Sequence, residues 1–224
     1  MRRRTRETAE LPFPHRLFTH PLELLFLLQS SENSDLSLGR TPMADEISES
    51  GNAETATLGP GCFWSFDAVM RRTPGVTSSV AGFAGDHGPP PNYEDYERYG
   101  LNPQKFVEAV QLTFRPDTIS FEEILTLFFQ SHDPTTPNQS GADHGTVYHS
   151  TIFYADEDQR ARSEQVMNRV RKELGQDIVT DLRPYQQFVV ADSDQQDFYN
   201  KNRFQPYCRA VIEPKLRTLG IDVD

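Results

Sequence analysis

From Phe106 to Phe114 the chain reads "FVEAVQLTF", and its residue types alternate strictly. Phe106, Glu108, Val110, Leu112 and Phe114 fall on one side of a two-residue repeat, with Val107, Ala109, Gln111 and Thr113 on the other. That period belongs to a β-strand, and one face of it is apolar except for a single carboxylate.

On either side the period switches between strand and helix. "TATLGPG" is a short strand that ends in glycines and runs into Cys62. Phe63, Phe66, Ala68, Val69 and Met70 then recur at helical spacing until "TPG" at Thr73 to Gly75 stops the helix. "VTSSVAGF" is strand-like. Ser120 with Glu123 makes a capping box, and Ile124, Leu127 and Phe128 give the helix behind it an apolar stripe. "TIFYA" is another strand, and Asp156 with Gln159 caps a helix that runs to about Leu174. "DIVTDLRPYQQFVVA" reads as one or two strands, Asp192 to Lys201 as a short helix, and "RFQPYCRAVIEPKLRTLG" as a tail. The succession β-α-β, β-α-β predicts an α+β fold with a ferredoxin-like split β-α-β core. Two long loops interrupt it, "AGDHGPPPNYEDYERYGLNPQ" and "HDPTTPNQSGADHGTVYHS". Loops of that length usually carry function or disorder.

Residues 1–53 show mixed charge and no sustained period, and are expected to form a disordered extension. Met43 opens "MADEISESGNAE", a second candidate start. The remaining length suits one substantial domain. With 33 acidic against 22 basic residues the formal net charge is −11, which disfavours a nucleic-acid partner. The longest apolar run, Leu24 to Leu28, is too short to span a bilayer, so no membrane role is expected. Two cysteines are too few for a disulfide framework, and a reducing, cytoplasmic setting is expected.

Cys62 stands where a strand hands over to a helix, near unpaired helix amides and the positive end of the dipole, and both favour a thiolate. A small buried core residue suits the same position, and the residues alone leave both readings open. Phe63 and Trp64 suit either core packing or an apolar wall for a small group such as a methyl. Glu108, on the apolar face of its strand, is expensive if ionised and unpaired, so it tends to stay protonated and to serve as an acid. A register that exposes that face is the alternative. Tyr93, Tyr96, Tyr99 and Tyr148 place phenol donors in the two loops, where most tyrosines are structural anchors. His132, His144 and His149 with Asp133 and Asp143 match neither a two-histidine zinc motif nor a calcium loop, so no metal site is expected.

"GCFW" opening a helix, a Pro-Asn-Tyr loop, "VEAV" on a strand, "HDPTTPNQSGADHGTVYHS" and a Tyr-Cys near the C-terminus occur in this order. Together they resemble the A-type peptide methionine sulfoxide reductases, over roughly Thr55 to Cys208. The resemblance implies a two-layer α+β sandwich around a mixed sheet and reduction of the S-epimer of methionine sulfoxide, a repair of oxidative damage. It implies that Cys62 is the nucleophile, that Phe63 and Trp64 are the walls receiving the substrate methyl, and that Glu108 is the acid. Tyr93 and Tyr148 match the tyrosines that bind the sulfoxide oxygen, Asp143 the acidic position of the D-x-G-T-x-Y segment, and Cys208 stands near the first resolving cysteine. No bound cofactor is implied, only an external reductant, thioredoxin or another thiol. On this basis residues 54–208 are the catalytic domain, residues 209–224 a C-terminal tail, and the chain a monomer. Ser65 departs from the glycine often found there, "KFVE" from the usual approach to the acid, and "NRFQPYCRAVIEPK" from the usual glycine-rich C-terminus.

Overall fold

The computed structural model describes residues 53–89, 102 and 105–223. The expected extension therefore lies outside the described residues except for Ala53, and so do Tyr93, Tyr96 and Tyr99. The chain opens with β1 (Glu54–Gly59), α1 (Phe63–Met70), β2 (Val76–Gly85) and β3 (Val107–Phe114). α2 (Phe121–Ser131) leads to a small hairpin of β4 (Gln139–Ser140) and β5 (Asp143–His144), then to a 3₁₀ turn at Thr146–Tyr148. β6 (Thr151–Tyr154), α3 (Glu157–Leu174), β7 (Asp181–Pro184), β8 (Gln187–Val190) and α4 (Phe198–Lys201) follow. A π-helical turn at Cys208–Ile212 runs into α5 (Glu213–Thr218).

Among the described residues, six strands make one sheet in the order β7-β6-β1-β3-β2-β8. Only β6 and β7 pair in parallel, so the sheet is mixed. The alternation of β3 is what places the core. Val110, Leu112 and Phe114 enter the main apolar cluster with Phe66 and Val69 of α1, Ile124 and Phe128 of α2, and Val166 and Val170 of α3. Val107 and Ala109, on the opposite side, join a small cluster with Ala84 and Phe153. Glu108 shares the helix-covered side and is 5% exposed, which removes the alternative of an exposed register.

The helix starts follow the sequence signals. Ser120 and Glu123 form the reciprocal capping box at α2, and the Asp156 side chain accepts from the Gln159 amide at 2.8 Å at α3. α3 ends at Gly175, whose φ of 65° suits glycine. Arg162 clasps both carboxylate oxygens of Glu122 at 2.7 Å and ties α3 to α2. α1 is tied to the sheet through buried Asp67, which accepts from Ser79 Oγ at 2.6 Å and from Arg71 at 2.8 Å.

Two local expectations change. The helix expected from Asp192 to Lys201 is regular only from Phe198, because Asp197 adopts a left-handed conformation at φ 52°. Before that break Gln196 bonds both backbone groups of Ala81, at 2.9 and 2.7 Å, and so covers an edge of the sheet. The segment read as a tail is helical to Thr218, and Cys208, Ile212 and Leu216, spaced four apart, all enter the main cluster. Pro214 masks that periodicity, yet it sits in the first turn of α5, where its missing N–H is not needed.

Candidate active site

The turn before Cys62 can be built only with glycine. Gly61 has φ +85°, and a Cβ on it would lie 2.5 Å from Ser140 Cβ, so the β4–β5 hairpin packs directly on the turn. A Cβ on Gly59 would lie 2.8 Å from Val107 Cγ2 and 3.2 Å from the Glu108 carbonyl oxygen. β1 therefore ends flush against β3, and Glu108 reaches the start of α1. There its Oε2 accepts the Phe63 backbone N–H at 3.0 Å.

Burial pushes the Glu108 carboxyl up to about 8, with Asp143 adding to the shift and the Phe63 amide opposing it. That shift keeps the Glu108 carboxyl mostly protonated at neutral pH, in line with the buried one of the two registers its strand pattern allows. Cys62 is the N-cap residue of α1, and it is buried, the second of the two readings its position left open. The Trp64 amide does favour its thiolate, as do the Tyr207 hydroxyl and Lys215, but burial foremost and Glu108 second push the thiol up to about 12. Desolvation outweighs the helix terminus, and the resting group is a thiol.

Phe63 is buried against Phe83 at 5.8 Å between ring centroids, and Trp64 is partly exposed. The indole stacks on Phe198 at 3.8 Å, meets Tyr207 edge-on at 5.5 Å and donates from Nε1 to Gln195 Oε1 at 3.1 Å. Tyr148 is half-buried in the 3₁₀ turn, its carbonyl 3.5 Å from the position a Gly61 Cβ would take. Asp143 lies on β5, and Tyr93 lies outside the described residues. Cys62 and Cys208 are both free and buried, and Cys208 belongs to the main apolar cluster.

Sequence reasoning missed Tyr207. Its hydroxyl is 3.1 Å from Cys62 Sγ and 3.2 Å from Asp143 Oδ2, although 145 positions separate it from the cysteine. Lys215 was missed too, and it donates to Ser65 Oγ at 2.8 Å. The one available signal was the helical spacing of Cys208, Ile212 and Leu216, which places Tyr207 and Lys215 on neighbouring faces of a packed segment.

The histidines do other work. His132 bonds the Phe128 carbonyl at 2.8 Å and Ser150 Oγ at 2.7 Å, and burial lowers its pKa to about 4, so it is a neutral tie between α2 and the strand region. Among the described residues no histidine is hydrogen-bonded to Cys62, and no group of three or more His, Cys, Asp or Glu is placed to hold a metal. No helix among them is long and apolar enough to cross a membrane.

A buried thiol in contact with a phenol, beside a carboxyl that burial keeps protonated, makes Cys62 the centre of a cysteine-based site. The family model for peptide methionine sulfoxide reductase matches residues 54–221. Peptide methionine sulfoxide reductase MsrA of Saccharolobus solfataricus is 45% identical over 73% of this chain and 91% of its own length. That of Sulfolobus acidocaldarius is 42% identical over 73% and 92%. Mxr1 of Saccharomyces cerevisiae in its reduced form superposes with a TM-score of 0.64 at 26% identity, covering 71% of this chain and 91% of that one. Methionine sulfoxide reductase A of Corynebacterium diphtheriae gives 0.58 at 26% identity, covering 71% and 80%. The chain belongs to the peptide methionine sulfoxide reductase family.

Proposed function

We propose that the chain reduces the S-epimer of methionine sulfoxide to methionine through Cys62, with Glu108 as the proton donor. The observation that carries this reading is the buried neutral carboxyl of Glu108 at the first turn of the helix that Cys62 caps. The Cys62 sulfur attacks the sulfoxide sulfur, and the S–O bond breaks as its oxygen takes up protons. The net step converts sulfoxide and thiol into thioether and a Cys62 sulfenic acid. Phenols strengthen the proton supply, and Tyr93 and Tyr148 are assigned to the sulfoxide oxygen. Phe63 and Trp64 wall the methyl pocket, with the indole held by Phe198 and Gln195, and Asp143 orients Tyr207.

Cys208 is assigned as the resolving thiol: it condenses with the sulfenic acid, releasing water and leaving a Cys62–Cys208 disulfide. Thioredoxin or another dithiol then reduces that disulfide and is itself oxidised. Because Cys208 packs in the core, this step requires residues 207–218 to loosen. The catalytic domain accordingly runs through α5. Its strands β6-β1-β3-β2, with β3 antiparallel between β1 and β2, support a split β-α-β core of ferredoxin-like kind in a two-layer arrangement. A monomer working in a reducing cytoplasm on oxidised protein completes the proposal.

The test is a coupled assay on a peptide containing methionine-S-sulfoxide, with thioredoxin and its reductase. Wild type turns over and Cys62→Ser loses at least about 10³-fold in rate. Retention of activity by Cys62→Ser would falsify the mechanism.

A further inference from the structure

The Tyr207 hydroxyl touches two groups at once, Cys62 Sγ at 3.1 Å and Asp143 Oδ2 at 3.2 Å. The hairpin delivers that carboxylate: Asp143 pairs with Ser140, and Ser140 packs on Gly61, the neighbour of Cys62 in sequence. A phenol carries one hydrogen and cannot donate to both neighbours. A carboxylate oxygen only accepts, whereas the resting thiol has a hydrogen of its own. The hydrogens therefore run one way, with Cys62 S–H donating to Tyr207 Oη and Tyr207 O–H donating to Asp143 Oδ2. Burial foremost pushes the phenol up, so it keeps a hydrogen to pass on.

Attack by Cys62 requires the thiol to give up its hydrogen, and burial holds that hydrogen tightly. Glu108 is no acceptor for it, because its carboxyl is mostly protonated and its Oε2 already takes the Phe63 N–H. Among the described residues Asp143 is the one carboxylate joined to the thiol through a single hydroxyl. We propose that Asp143 receives the thiol proton through Tyr207 as Cys62 attacks. The bond from Cys62 Sγ to the sulfoxide sulfur forms as the S–H bond breaks. The thiol proton passes to Tyr207 Oη, and the Tyr207 proton passes to Asp143. Bond formation acidifies the S–H, so transfer accompanies attack and no free thiolate has to precede it. Glu108 gives its proton to the sulfoxide oxygen, and the adduct collapses to thioether and sulfenic acid as its hydroxyl passes to Cys62. Asp143 then releases a proton to solvent and Glu108 takes one up, which restores both. The relay itself oxidises and reduces nothing. It rests on the reading of Cys62 as the nucleophile and supplies the base that reading lacks. Tyr207 touches the reacting sulfur, and Asp143 acts through it.

Alkylation of Cys62 by iodoacetamide at neutral pH, read on its peptide by mass spectrometry, tests the relay in the full chain without any sulfoxide. Asp143→Asn slows it about tenfold, because the acceptor is gone. A carboxylate that is merely a negative neighbour gives the opposite sign, since its removal favours the thiolate, and a loosened site also reacts faster. Tyr207→Phe slows alkylation to a similar extent, and adding Asp143→Asn to it slows the reaction no further. In single-turnover reduction of an S-sulfoxide peptide each variant and the pair lose about 10²-fold in rate, with the half-saturating peptide concentration within about twofold of wild type. Unchanged or faster alkylation in Asp143→Asn overturns the proposal, and so does a further loss when that change is added to Tyr207→Phe. Should Tyr207→Phe fail to fold, the direction of the Asp143→Asn effect decides alone. A wild type that consumes no sulfoxide, while Asp143→Asn still slows alkylation, removes the proposed function and leaves the relay standing.

Discussion

Glu108 and the Cys62 turn are joined through the sheet, whereas Tyr207 and Lys215 arrive on a short helical segment that meets the same turn through side chains. In the first region Gly59 and Gly61 leave no room for a Cβ, and the β1–β3 register is fixed by five paired positions, from Glu54 opposite Phe114 to Leu58 opposite Val110. In the second, two hydroxyl contacts and one ammonium contact reach the site, backed by Ile212 and Leu216 in the core. Cys62 and Glu108, the proposed nucleophile and acid, are therefore set by the sheet and by a turn without room for a Cβ. The segment that carries the second thiol is held instead by side-chain contacts and by the buried Cys208, Ile212 and Leu216, with no strand pairing of its own.

The comparison predicts large losses in the first region and smaller ones in the second. Glu108→Gln removes the acid and lowers kcat by about 10²–10⁴-fold. In the wild type kcat declines above about pH 8 as Glu108 ionises, and a profile without that decline would remove Glu108 from the chemistry. The same group makes stability depend on pH. Its folded pKa lies above the ordinary value of 4.5, so the folded chain holds a proton that the unfolded chain has lost across the window from 4.5 to about 8. Stability therefore falls as pH rises through that window, by at most about 4–5 kcal/mol, and Glu108→Gln flattens the dependence in urea melts.

Gly61→Ala strains the turn and drives a methyl into Ser140. A loss of about 1–3 kcal/mol and a kcat lower by about tenfold or more are expected from thermal melts and the coupled assay. Cys208→Ser is the mildest: the first turnover keeps the wild-type rate and only the later, thioredoxin-driven turnovers slow, by about tenfold. Equal slowing of both phases would mean that Cys208 supports the fold of the site rather than its regeneration.

The first region was legible because its signals are local. The alternation around Glu108 placed a carboxyl on an apolar face and left only its burial open, the glycines before Cys62 marked a strand-to-helix turn, and Ser120 with Glu123 the start of α2. The second region was not, because Tyr207 and Lys215 acquire their roles from contacts with Cys62 and Ser65 across 145 and 150 positions. Pro214 further disguised the helical spacing that would have joined them to the core. Cys62 stayed open between a thiolate and a buried core residue for a related reason. The helix terminus can be read from one segment, but the desolvation that outweighs it comes from β3, the hairpin and the C-terminal segment together.

The most direct test is a single turnover without external reductant, using separate S- and R-epimers of a methionine sulfoxide peptide and intact-mass analysis of the chain. The account predicts that about one equivalent of the S-epimer is consumed per chain, with the oxidation recovered on Cys62 as a sulfenic acid or as its disulfide with Cys208. Consumption of neither epimer, or of the S-epimer with Cys62 unmodified, would contradict it.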